Sequence, residues 1–295
     1  MSSITKVAIA GATGNVGPAV LKQLLEDGFE VTVLARKGAT KKFPSSVTVA
    51  EIDYESPESL EKALSGQDAV VSTVGFEGLP YQIPLIRAAV KVGVKRFIPS
   101  EYGGDAENEK ALSLPPFQAK KAVTEVLKKE AAAGSITYTL ISTGPFLDMG
   151  LQYGFLIDPK GKNITLWNGG DRPFSITTVA STAKAVSEVL KHPEETKNRN
   201  VYVHNVQISL KKLLEQAKKA VGSDGWKSEV KSTDEHLKQA YAELEKGNHD
   251  RMAFIAAAIW GEGYGSHFEK VDNDLLGVKE FSDVELQDFI KGFAN

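Results

Sequence analysis

Seven residues near the N-terminus, Gly11-Ala12-Thr13-Gly14-Asn15-Val16-Gly17, constrain the fold of this 295-residue chain more than any other feature. They follow a short β-branched run, residues 6–10, and open onto an amphipathic stretch, residues 16–27. Glycine at these spacings permits a tight turn, close approach of the backbone to a pyrophosphate, and close packing of helix on strand. The amides and dipole at the start of the helix then suit an anion. A glycine triplet alone says little. In a strand–turn–helix context it predicts a dinucleotide-binding loop made of Gly11, Thr13, Gly14, Asn15, Val16 and Gly17. No Gly-Lys-Ser/Thr follows, which removes a P-loop NTPase reading.

The pattern after this loop keeps alternating. Further strands are expected at 30–35, 47–52, 69–74, 96–99 and 137–142, and helices at 57–64, 81–92 and 116–133. Gly28, Gly66, Gly93 and Gly134 each stand just past a helical stretch, as C-terminal caps do. Ser56-Pro57 reads as an N-cap with proline at the first helical position. The predicted fold is α/β, a Rossmann-type doubly wound parallel sheet with its ligand crevice at the carboxyl ends of the strands. Residues 1–150 form this dinucleotide-binding part. Beyond Gly150 the alternation loosens, and 151–295 reads as a smaller, mostly helical substrate-binding part, with about 175–205 returning to the first.

Charge and composition narrow the partners. Lysine plus arginine total 35 against 38 acidic residues, for a net charge of −3, so nothing favours nucleic acid or an anionic membrane. There is no cysteine, and the five histidines (192, 204, 236, 249 and 267) show no metal-ligand spacing, so no metal is expected. The apolar run 253–260 is too short to span a bilayer, and neither a signal-peptide layout nor a prenylation box is seen. A cytoplasmic protein acting on a small-molecule substrate is expected, either a monomer or a homodimer.

The second strand's exit selects the dinucleotide. An NAD site places a carboxylate there for the ribose hydroxyls. Here the chain reads Arg36-Lys37, then Lys41-Lys42, with no carboxylate until Glu51. A guanidinium grips a 2′-phosphate that a carboxylate would repel, so Arg36, with Lys41 and Lys42, predicts NADP(H). Thr73-Val74-Gly75-Phe76, after the fourth strand, and Thr143-Gly144-Pro145-Phe146, after the sixth, are expected to line the same cofactor. None of the eight tyrosines has lysine four residues on, so the Tyr-x-x-x-Lys pair of short-chain dehydrogenases is absent. On the helix after the fifth strand, Phe117, Val123, Val126 and Leu127 define an apolar face, and Lys120 falls inside it while Lys121 does not. A lysine on a packed face is costly unless its amine reaches a cleft. Lys120 is the catalytic candidate, as general acid/base or as a cofactor-binding residue that holds the nicotinamide ribose, against the plainer reading of a side chain snorkelling to water.

Taken in order, the glycine loop, Arg36, Ser72-Thr73-Val74-Gly75, Pro99-Ser100-Glu101-Tyr102-Gly103 and Phe117-x-x-Lys120 resemble the isoflavone-reductase-like branch of the NmrA-like, atypical short-chain dehydrogenases. That group includes phenylcoumaran benzylic ether reductases, pinoresinol–lariciresinol reductases and eugenol synthases. The resemblance covers about the first half of the chain and is looser beyond. It implies a Rossmann domain with a small substrate domain, NADPH as cofactor, and a catalytic lysine whose Lys-x-x-Val register falls on Lys120 and Val123. Two departures bear on substrate: Tyr102 stands where the plant enzymes carry phenylalanine, and Thr143-Gly144-Pro145-Phe146 replaces their Asn-x-Phe. The C-terminal half is more like fungal members, so a lignan or isoflavonoid substrate is not carried over. The expected activity is NADPH-dependent reduction of a small aromatic or conjugated, carbonyl-like or quinone-methide-type substrate. The alternative is an NmrA-like regulator that senses NADP without turnover. A sugar-nucleotide epimerase is a distant third, for want of the tyrosine pair.

Overall fold

The computed structural model describes residues 3–248 and 250–294, so His249 lies outside the described residues. The chain runs β1 (Lys6–Ala10), α1 (Gly17–Glu26), β2 (Glu30–Arg36), β3 (Thr48–Ile52), α2 (Pro57–Leu64), β4 (Ala69–Ser72), α3 (Gln82–Lys91) and β5 (Arg96–Ile98). It continues through α4 (Glu109–Leu112), α5 (Gln118–Ala132), β6 (Thr137–Ser142), α6 (Leu147–Gln152), β7 (Asn163–Trp167), β8 (Pro173–Ile176), α7 (Val179–Lys191) and β9 (Arg199–Tyr202). Last come β10 (Val206–Ser209), α8 (Leu210–Val221), β11 (Lys227–Lys231), α9 (Thr233–Glu245), α10 (Arg251–Trp260) and α11 (Asp283–Lys291).

Seven strands form one parallel sheet in the order β3-β2-β1-β4-β5-β6-β9. The strand order reverses between β1 and β4, which sets the crevice at their carboxyl ends. Strands here are buried on both faces. In β1, Val7 and Ile9 enter the layer of α1 and α7, while Ala8 and Ala10 enter the layer of α2, α3 and α5. Such a strand reads as a continuous apolar run, which is why it stands out in the sequence. Ser56 accepts from the Ser59 amide at the head of α2, as its position predicts.

Residues 175–205 supply α7, which packs on α1, and β9, which pairs with β6. The fully buried Arg96 on β5 helps seat this return, donating to the hydroxyls of Thr137, Thr139 and Thr196. The remaining C-terminal part is less purely helical than its pattern suggests. β8 pairs with β10, and β7 with β11. β11 is exposed at all five residues, so no apolar alternation marks it. Trp260, at the end of α10, is buried in the core between these pairs and α8 and α11. No helix among the described residues is long and apolar enough to cross a membrane.

Candidate active site

Backbone contacts sew the loops at the carboxyl edge of the sheet together. Gly11, at φ +82°, lies against the turn after β4; a Cβ there would stand 2.7 Å from the Thr73 carbonyl and the Val74 nitrogen. At Gly17 a Cβ would collide with the Gly11 carbonyl. The protein's own backbone therefore demands both glycines. Gly14 is different: its nearest neighbours would be 3.5 and 3.6 Å away, an ordinary contact. The fold has room for a side chain at Gly14, so the open space in front of it is what its glycine preserves. Thr13, Gly14 and Asn15 are exposed, whereas Val16 is buried in the core and offers only backbone. No side chain caps α1, so its first amides remain available to a ligand.

The seam continues along the edge. Thr73 donates to the Ala10 carbonyl through both its amide, 2.8 Å, and its hydroxyl, 2.9 Å. The Ser100 hydroxyl donates to the Val74 carbonyl at 2.7 Å. The amides of Thr143 and Gly144 both donate to the Gly103 carbonyl, at 2.9 and 2.7 Å. Behind them the Thr177 hydroxyl donates to the Thr143 carbonyl at 2.5 Å. The Thr143 hydroxyl donates to the Gly144 carbonyl at 2.9 Å, so the side chains of Thr73 and Thr143 are both spent within the protein, and these positions can face a ligand only through backbone. Gly75 looks onto open space, and Pro145 and Phe146 are partly exposed.

Lys120 reaches this seam from α5. Its amine donates to the Glu101 carbonyl and lies 3.7 Å from the Glu101 carboxylate; the two side chains are 12% and 4% exposed. The Thr124 hydroxyl donates to the other Glu101 oxygen at 3.3 Å. Burial pulls the Lys120 amine below the ordinary lysine range, with the Glu101 charge opposing. Burial pushes the Glu101 carboxyl up, with Lys120 and Thr124 opposing. Lys121, one residue on, points outward to an exposed ion pair with Glu109 at 2.7 Å.

The basic residues divide. Arg36 ends β2, exposed and without an ion pair among the described residues. Lys41 and Lys42 lie instead against α1, lining a groove of about 330 Å³ with Ala12, Pro18 and Phe43. Phe76 sits 6.4 Å from Phe117 and beneath the Arg251 guanidinium, 4.7 Å away. Sequence reasoning missed Glu101, Thr124 and Arg251: the first stands on a loop with no periodic phase, and the last pairs with Glu77 across 174 residues. Thr124, four residues after Lys120, could have been found by the same helical spacing. Tyr102 buries its hydroxyl without a hydrogen-bond partner among the described residues. His267 is exposed. Among the described residues no cluster of three or more His, Asp or Glu stands ready for a metal.

A profile of the NmrA-like family matches residues 3–261. The chain belongs to the NmrA-like family. Similar members include oxidoreductase aprR of Aspergillus flavus, 36% identical over 92% of this chain and 94% of that one. Phenylcoumaran benzylic ether reductase IRL1 of Ginkgo biloba is 27% identical, covering 95% of each chain. The fold matches the solved binary complex of leucoanthocyanidin reductase with NADPH from Vitis vinifera, with a TM-score of 0.79, 21% identity, and 98% of this chain and 99% of that one covered.

Proposed function

We propose that this NmrA-like protein is an NADPH-dependent reductase of a small aromatic or conjugated, carbonyl-like or quinone-methide-type substrate. The observation that carries the reading is Lys120, a buried amine held where three strand exits meet, beside a glycine loop whose central residue leaves space open. The relatives' names, an oxidoreductase and a benzylic ether reductase, support a redox role, and the grape enzyme was solved with NADPH.

The residues present fit that cofactor. Thr13, Gly14, Asn15 and the uncapped amides of α1 would take its pyrophosphate, and Arg36 its 2′-phosphate. Residues 1–150, with 175–205, would hold it, and the rest of 151–295 the substrate. Bound NADPH supplies hydride. Lys120 supplies the proton: its Nζ, held by the Glu101 carbonyl and lowered in basicity by burial, delivers to the oxygen that gains charge as hydride arrives on the substrate. Glu101 and Thr124 fix where that amine points.

Replacing Arg36 by Ala is expected to weaken NADPH binding about ten- to a hundredfold, the worth of charge-assisted bonds, while leaving NADH nearly untouched. Equal losses for both, measured by titration, would contradict the NADP(H) assignment. NADPH binding without turnover across aromatic enones and quinones would favour the sensor instead.

A further inference from the structure

We propose that Arg251 anchors the carboxylate of an anionic substrate, whose planar body lies along Phe76 and Phe117 with its reducible end toward Lys120. This rests on the reductase reading and narrows its substrate class. Four side chains from three distant segments are linked one to the next: the Lys120 amine is 6.0 Å from the Phe117 ring, that ring 6.4 Å from Phe76, and Phe76 4.7 Å from the Arg251 guanidinium. The aromatic pair is half-buried, so ring surface remains open between the two cations. Added Cβ atoms at Gly75, next to Phe76, and at Gly104, next to the Lys120 neighbour Gly103, would meet nothing within 4 Å. The backbone at Gly75 and Gly104 thus faces open space.

Arg251 is unusually available for an incoming anion. It is the first residue of α10, where a cation opposes the helix dipole, so helix stability does not account for it. Its carboxylate partner, Glu77 at 2.7 Å, has a side chain 88% exposed, and an ion pair so solvated contributes little and is readily exchanged. Its position over the Phe76 ring keeps the guanidinium beside the aromatic surface, where a ligand carboxylate can displace Glu77 and bind it bidentately.

The test uses the full chain saturated with NADP⁺, titrated calorimetrically with 4-formylbenzoate, 4-acetylbenzoate and 4-formylcinnamate, whose carbonyl and carboxylate lie at opposite ends, each against its methyl ester. Failure to bind NADP⁺ at all would overturn the reductase reading itself. With NADP⁺ bound, at least one acid should bind about ten- to a hundredfold tighter than its ester. Arg251→Gln should erase that preference while leaving NADP⁺ affinity intact, and Glu77→Gln, which removes the competing carboxylate, should tighten the acid severalfold. No acid preference in any pair, or a preference that survives Arg251→Gln, would overturn the inference alone.

Discussion

The crevice rim and the C-terminal aromatic layer are held together by different physics. Along the rim, consecutive loops are joined by hydrogen bonds to main-chain carbonyls: the Thr73 amide and hydroxyl to Ala10, the Ser100 hydroxyl to Val74, and the Thr143 and Gly144 amides to Gly103. In the layer, rings meet rings: Trp260 stacks on Trp167 at 5.9 Å and 13°, and touches Phe174 and Phe155 at 5.6 and 5.2 Å. Main-chain contacts tolerate few residue types, because an added Cβ strikes backbone that cannot move. Ring packing tolerates other apolar shapes of similar volume. Damage at rim positions that face open space should therefore appear in binding and turnover, and damage to the layer in stability.

The sharpest break in that comparison lies within the rim, at two adjacent lysines. Lys120→Ala should lower turnover by about 10²–10⁴-fold with the fold intact, the usual loss for a positioned acid or base. Lys121→Ala, which loses a solvated ion pair, should change it little. Steady-state kinetics with NADPH and one accepted substrate decides, and the reverse order would show the helix phase misassigned.

The layer should answer in the other currency. Trp260→Ala empties a fully buried site and should cost about 3–5 kcal/mol in a urea melt, with NADPH affinity of the folded protein little changed. A loss below about 1 kcal/mol would mean that the layer contributes far less than its burial implies.

A smaller effect ties α1 to α7 within one helix layer. Burial alone would raise the pKa of Asp27, at the end of α1, but hydrogen bonds from Ser187, Lys191 and Gln23 outweigh it and bring the carboxyl to about 2. Because the folded value is depressed, its stabilisation is complete above the unfolded carboxylate's pKa of about 4 and is lost as pH falls toward 2. Asp27→Asn should therefore remove about 2 kcal/mol at pH 7 and flatten the acid limb of the stability curve between about pH 4 and 2. An unchanged acid limb would place the acid sensitivity elsewhere.

The same contrast explains what could be read before any coordinates. Apolar runs marked β1 to β6, Ser56 marked a helix start, and helical spacing separated Lys120 from Lys121, because each is a local signal. β8, β10 and β11 fall where the strand–helix alternation loosens and lie in two-stranded pairs, and β11, exposed at all five residues, carries no apolar run to announce it. Glu101 and Arg251 escaped for a related reason: a loop carboxylate and a helix-start arginine acquire meaning only beside Lys120 and Phe76. The exposed place of Arg36 at the end of β2 follows from the strand pattern, whereas the turn of Lys41 and Lys42 toward α1 depends on how the loop before β3 folds back.

Gly14→Val tests the central claim, that the space the fold leaves open before Gly14 is reserved for the cofactor's pyrophosphate. Calorimetric titration with NADPH, paired with a melting curve, gives both halves of the answer. The protein should remain folded, since a Cβ there makes only ordinary contacts, and should show no NADPH binding at a hundred times the wild-type dissociation constant. A folded Gly14→Val protein that keeps its affinity would contradict the account, and would put the dinucleotide somewhere other than this loop.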